Sequence, residues 1–291
     1  MSQSVTAITG NILLIANLAL CQLAYAQSKT VEVTEGKPIA KAVQLLEAIY
    51  GVPITYEDTM VVNDSQLEDI TEKVQRSPDP SHRITGPKPI TLSFTYKLPS
   101  SGPSPAGLSQ IKAENEAKVS DALVSVLDGY AAAGGSVTFS VTQEDGIFHV
   151  MATNFLNIEG KFQQMTPLLD TKISILPGQR TRGVLINEIC QTLSKTAGVQ
   201  VGIWDFPYNG SQSDTLTTIS GSDVTARSLL SQLLAEMAAP ISRDVSFLGP
   251  DGQRVPRNMV VWKGCPLSWG LFYSRDSGYM LSIHYVKVVS N

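Results

Sequence analysis

The sequence predicts an α+β fold of two similar units, each a small mixed β-sheet with two helices packed on it. Three observations carry this. One wording occurs twice: an amphipathic helical stretch, a glycine, then an alternating strand, at residues 37–58 (KPIAKAVQLLEAIYGVPITYED) and 186–205 (INEICQTLSKTAGVQVGIWD). Each copy is followed by a second apolar helical stretch and a hairpin pattern. With 291 residues, 43% hydrophobic and 16% charged, the chain has globular values and room for two ordinary domains.

The elements follow in order. Residues 12–26 (ILLIANLALCQLAYA) carry no charge, and fall short of the roughly 20 apolar residues that a spanning helix takes. Ala24-Tyr25-Ala26 has the small-x-small form of a signal-peptidase site. Residues 1–26 are therefore expected to be an export signal, and the protein to be periplasmic or secreted. Residues 1–11 hold no Lys or Arg, so an uncleaved anchor is the alternative, and that anchor would be its only membrane contact. A lipidated Cys21 is disfavoured by the bulky Leu20 before it.

The first unit is expected over residues 30–153. Val31 and Val33 mark a leading strand. Ile39, Ala42, Val43, Leu46 and Tyr50 recur at helical spacing. Gly51 is the stop, since glycine takes the left-handed C′ conformation without a Cβ clash. Val52, Ile54 and Tyr56 alternate as a strand. Residues 63–89, centred on Ser77-Pro78-Asp79-Pro80, read as an exposed excursion. Residues 90–98 (ITLSFTYKL) are a half-buried strand, and 99–105 a loop. Val119, Ala122, Leu123, Val126, Leu127 and Tyr130 give the face of a long helix over 112–133, ended by Gly134-Gly135. A hairpin turns at Glu144-Asp145-Gly146.

Residues 154–172 are expected to be a linker, and 173–291 the second unit. Its first helix shows Ile186, Ile189, Cys190 and Leu193, and stops at Gly198. Residues 207–213 are a turn cluster and 214–220 a short strand. Ser222 or Asp223 is expected to cap a helix with face Leu229, Leu230, Leu233, Leu234 and Met237. The closing hairpin turns at 275–278 and puts Trp269 where the first unit has Phe139. An insertion over 239–266 separates helix from hairpin. It carries the turn Gly249-Pro250-Asp251-Gly252, then the apolar run Met259, Val260, Val261 and Trp262. That run is the candidate interaction surface, as exposed apolar patches often mark contacts; an extra edge strand is the plainer alternative.

The chemistry-bearing residues are sparse. A net charge of -4 argues against a nucleic-acid partner. Without CxxC or a Cys/His cluster, no metal is implied. No P-loop, G-x-G-x-x-G after a strand, H-E-x-x-H or G-x-S-x-G suggests a cofactor or a nucleophile. After signal removal Cys190 and Cys265 remain. A disulfide between them is open in an oxidising compartment, but Cys190 on an apolar helix face fits an unpaired core thiol better. His149 and His284 fall near matching places on the two closing strands. Both are expected to face solvent, because alternation turns half of a strand outward. Glu57-Asp58 and Glu144-Asp145 are expected to be solvated turn residues.

On Pro38-Ile39, Ala42-Val43, Leu46, Gly51 and Ile54, with the second helices at 120–127 and 226–233, the chain resembles the secretin and TonB N-terminal short domain family, in two copies. Ile54-Thr55-Tyr56-Glu57-Asp58 is also similar to the wording of exported acidobacterial proteins. The loops at 63–89 and 99–112 and the 239–266 insertion depart from the family pattern, and no barrel or secretin pore follows. The resemblance implies a non-catalytic envelope module that docks an envelope protein or cell-wall component. The alternative is a secreted hydrolase or carbohydrate-binding protein using a groove between the units.

Overall fold

A computed structural model describes residues 28–60, 64–74, 84–99, 108–206, 214–238, 241–248, 254–262 and 266–286. The export signal, Cys265 and the turn cluster at 207–213 lie outside the described residues. No described helix is long and apolar enough to cross a membrane.

The chain is α+β. Its first half runs β1 (Ser28–Glu35), α1 (Pro38–Tyr50), β2 (Ile54–Glu57), β3 (Leu67–Asp69), α2 (Thr71–Val74), β4 (Thr85–Pro87), β5 (Ile90–Lys97), α3 (Leu108–Ala132), β6 (Val137–Glu144), β7 (Ile147–Leu156) and β8 (Phe162–Gln164). The second half runs β9 (Lys172–Ile175), β10 (Arg180–Thr181), α4 (Arg182–Ala197), β11 (Val201–Asp205), β12 (Leu216–Thr217), β13 (Gly221–Thr225), α5 (Ala226–Ala238), β14 (Ile241–Leu248), β15 (Arg254–Trp262), β16 (Leu267–Ser274) and β17 (Gly278–Tyr285).

The halves repeat one topology. In the first, β1 pairs with β5, and β2 lies parallel to β7 of the β6–β7 hairpin. In the second, β9 pairs with β13, and β11 lies parallel to β17 of the β16–β17 hairpin. Each half thus places two long helices, α1 and α3 in the first and α4 and α5 in the second, between a two-stranded and a three-stranded sheet, a finer arrangement than one mixed sheet with helices on it. The helix stops are as expected: Gly51 and Gly198 sit at φ 65° and 68°, and Leu46 and Leu193, five residues before them, are buried in the two cores. Gly278 is compelled as well. Its φ is 71°, and a Cβ there would meet the Gln200 carbonyl oxygen at 2.6 Å.

The units do not merely lie against each other. Their three-stranded sheets fuse through a parallel β16–β2 pair into the order β11-β17-β16-β2-β7-β6, with β8 added against β7. Side-chain alternation then sets the layers. Ile54 and Tyr56 of β2 face α1 and α3, whereas Trp269 and Leu271 of β16 belong to the core of α4 and α5. Gly270 pairs with Tyr56 and Leu271 with Glu57, so the two helix layers lie on opposite faces of the common sheet. The units are related by a half-turn about an axis across the strands plus a translation along it.

Four expectations are corrected. Residues 154–172 are not a linker: β7 continues to Leu156, β8 pairs with its end, and a single 3-10 turn at Leu168–Asp170 buries Leu169 in the second core. The 63–89 excursion folds back as the β3–β4 hairpin. It sits tightly enough that a Cβ on Gly36 would meet the Pro87 carbonyl oxygen at 2.7 Å. Helix α5 is capped by Thr225, whose Oγ1 accepts from Ser228 N at 3.2 Å, and not by Ser222 or Asp223, which lie in β13. The insertion is not an extra strand of the main sheet; β14 and β15 form their own two-stranded ribbon, and Met259, Val260, Val261 and Trp262 lie on β15.

Candidate functional site

The residues with unusual environments collect where the units meet. Expected as solvated turn residues, Glu57 and Asp58 are in fact buried, because β2 became a central strand. Glu57 alternates onto the face covered by the second unit. Its Oε2 accepts from Arg227 Nη2 at 2.6 Å and its Oε1 from Leu169 N at 3.0 Å; Arg227 Nε donates to Asp170 Oδ1 at 2.8 Å. Burial pushes the Glu57 carboxyl above its ordinary value, and the Arg227 guanidinium and the Leu169 amide partly offset this. Asp58 turns to the other face. It pairs with Lys37 and accepts from Tyr273 N at 3.1 Å, and Lys37 Nζ also donates to the Tyr273 carbonyl at 2.6 Å. Glu144 and Asp145, by contrast, are exposed at their hairpin turn as expected.

The histidines are corrected too. His149 is 1% exposed, and its Nδ1 shares a 2.7 Å hydrogen bond with Thr55 Oγ1. Its ring stacks on Trp269 at 6.1 Å, with Arg227 over the same indole at 5.6 Å. Burial holds the imidazole down at about 4, so the ring is neutral. His284 is half-buried, and its Nε2 lies 2.7 Å from Glu47 Oε2. The two are not equivalent: by register His149 matches Met280, whereas His284 sits near the end of its strand. Tertiary context decided this, since both faces of the closing strands are covered in part. Cys190 is a buried free thiol, its pKa pushed to about 12 by burial.

Each unit leaves one face of its three-stranded sheet without helices of its own. That of the first unit is closed by Trp269, Arg227 and the 3-10 turn just described. That of the second unit is open. There α1 and the β3–β4 hairpin overhang β11, β16 and β17 and enclose a cleft of about 560 Å3. Phe272, Met280 and Ser282 make its floor; Leu67, Ile70, Ile84 and Pro87 make one wall; Lys37 and Gln44 make another. Trp204 stands at the mouth, 70% exposed, edge-on to Phe272 at 6.3 Å. A bulge between Ile203 and Asp205 puts it there, as bulges do when they re-aim a side chain. A second cleft of about 330 Å3 adjoins across Lys37 and Pro87, lined by Tyr56, Asp58, Tyr130, Phe139 and Phe155.

The cationic groups at the large cleft are engaged within the protein: Lys37 with Asp58, and Arg275 with Asp64 at 2.8 Å. Its lining is chiefly aliphatic and aromatic. This suits shape-based capture of an apolar group. Among the described residues no three His, Cys, Asp or Glu side chains cluster as a metal site. Sequence reasoning missed the cleft, because it is assembled from four separated stretches; the lone signal was Trp204 at an outward position of its strand.

No family model, curated protein or solved structure matches this chain.

Proposed function

We propose that this chain is an exported docking module of the cell envelope, built of two units like the secretin and TonB N-terminal short domain, and that it binds a partner polypeptide without catalysis. The observation that supports this is the open, apolar cleft between the units, with an exposed tryptophan at its mouth. An apolar floor and walls fit the side chains of a protein segment. A second reading, a carbohydrate-binding or hydrolytic protein, draws on the same exposed indole, which offers a stacking face to a sugar.

The test is capture from envelope extract by the chain, by its Trp204→Ala variant and by a variant lacking 241–262. Capture of one polypeptide by the wild type and the ribbon deletion, but not by Trp204→Ala, supports the cleft. Equal capture by wild type and Trp204→Ala removes it. If capture fails only in the ribbon deletion, docking moves to Met259–Trp262. Quenching of Trp204 fluorescence by soluble cell-wall saccharides, without protein capture, favours the second reading.

A further inference from the structure

We infer that the occupant of the cleft is an extended polypeptide segment that adds to the outer edge of β11 as a parallel strand. This rests on the docking reading above and fixes the guest's conformation, direction and contacts.

The molecule contains its own template. β2 and β11 hold the same place in their units: Ile54 and Val201 each begin seven residues after a helical side chain that accepts their amide, Glu47 Oε1 at 3.0 Å and Ser194 Oγ at 2.9 Å. The outer edge of β2 is filled by a parallel strand, β16. Among the contacts that hold that strand, three bear on its edge. Main-chain pairing brings Leu271 O to Asp58 N at 2.9 Å. The Asp58 carboxylate accepts from Tyr273 N. Phe272 lies over Tyr56, ring centroids 5.7 Å apart.

β11 offers a main-chain edge at the matching place. Alternate residues of a parallel strand bond to one neighbour. Gln200 O accepts from Tyr279 N at 2.8 Å, so Ile203 presents its N–H and C=O to the other side, where β11 has no strand among the described residues. Asp205 stands seven residues after Gly198, as Asp58 does after Gly51, but the bulge pairs it with Ser282 and turns it to the cleft, where it is exposed. The counterpart of Tyr56 is Ile203, which packs on the α4–α5 core; on the opposite face Trp204 stands beside the cleft floor of Phe272 and Met280, ready for an apolar side chain of the guest. The cleft is also continuous with the internal joint, since Lys37, Phe272 and Tyr273 belong to both. Strand addition of this kind takes affinity from main-chain bonds and selectivity from pockets for alternate side chains.

The probe is a synthetic peptide of the β16 sequence, Leu267–Ser274, flanked by lysines for solubility. It is added to the full chain, with amide exchange read by NMR. The expected result is binding with slowed exchange at Ile203. N-methylation of the peptide at its Leu271 position is expected to weaken binding about tenfold, the worth of one or two main-chain hydrogen bonds. Trp204→Ala is expected to weaken it too; the side chain is exposed, so the fold tolerates its loss. Binding without protection of Ile203, indifferent to N-methylation, overturns strand addition while leaving cleft docking standing. Absence of binding at any soluble concentration also overturns it. Protection of Ile203 without peptide, with a mass that rises with concentration, gives the edge to a second copy and overturns the partner strand.

Discussion

Tyr56-Glu57-Asp58 and Ile203-Trp204-Asp205 stand in the same position of two units with the same topology, yet their surroundings are opposite. The first triplet is central, flat in register, and carries two buried carboxylates, each matched by a cation. The second is at an edge and bulged, and it exposes both its indole and its carboxylate. The sheet neighbour makes the difference. Once β16 lies beside β2, carboxylates there must be paired, because an isolated buried charge is prohibitively expensive. β11, with no strand on its outer side among the described residues, instead carries a bulge that turns Trp204 outward. Equivalence of topology is therefore not equivalence of role: one copy is the joint, the other ends the sheet among the described residues.

The sharpest way to break this contrast is to remove the cation of the joint. Arg227→Ala leaves Glu57 buried and unpaired, and a loss of about 3–5 kcal/mol is expected in chemical denaturation. Asp205→Ala, on the free edge, is expected to stay within about 0.5 kcal/mol of wild type. Replacing the pair together, Glu57→Leu with Arg227→Met, should recover much of the loss, since the two sites couple. Similar losses from Arg227→Ala and Asp205→Ala would erase the distinction.

Acid should act on the joint next. His149 has its pKa lowered from 6.5 to about 4 by burial. Its neutral form costs nothing above pH about 6.5. As pH falls from there, the unfolded chain takes up a proton that the folded chain refuses, so stability declines, by roughly 3 kcal/mol once pH 4 is passed. Glu57 works in the opposite sense: its raised pKa favours the fold at low pH, and that contribution is lost as pH rises through its folded value. The comparison is therefore wild type against His149→Gln in denaturation midpoints from pH 4 to 7. A difference that does not widen toward acid would show that His149 is not held neutral.

Glu47 and Ser194 sharpen the contrast on a smaller scale. Both accept the amide that opens the following strand, but Glu47 also bonds His284 of the other unit. Glu47→Ala is expected to cost about 2–3 kcal/mol and Ser194→Ala about 1 kcal/mol. Equal costs would mean that the His284 contact contributes nothing to the joint. The smallest effect on stability belongs to Trp204→Ala, expected within about 0.5 kcal/mol because the ring is exposed; its loss should appear in binding alone.

Local patterns carried a good part of this structure. The repeated helix, glycine and strand were legible because helix periodicity, the left-handed stop and strand alternation depend on neighbours a few residues apart. Both cores follow from them: Ile39, Leu46 and Leu123 in one, Ile186, Leu193 and Leu230 in the other. The candidate site was much less legible. Glu57, Asp58 and His149 look like surface residues on any local criterion, and so does the threonine-rich stretch before Ala226. Nothing within ten residues of Glu57 hints at Arg227, its partner 170 positions away.

What the amino-acid order decided alone is thus the content of each unit: where helices stop, where hairpins turn, and which side chains are apolar enough to need burial. Only the tertiary structure decided which strand of each unit would be shared. The fusion of β16 with β2 turned one sheet face inward and left its counterpart open as a cleft. The reason lies in range: turns and periodicity are local interactions, whereas burial of a charge and the vacancy of a strand edge depend on chain segments that meet only after folding.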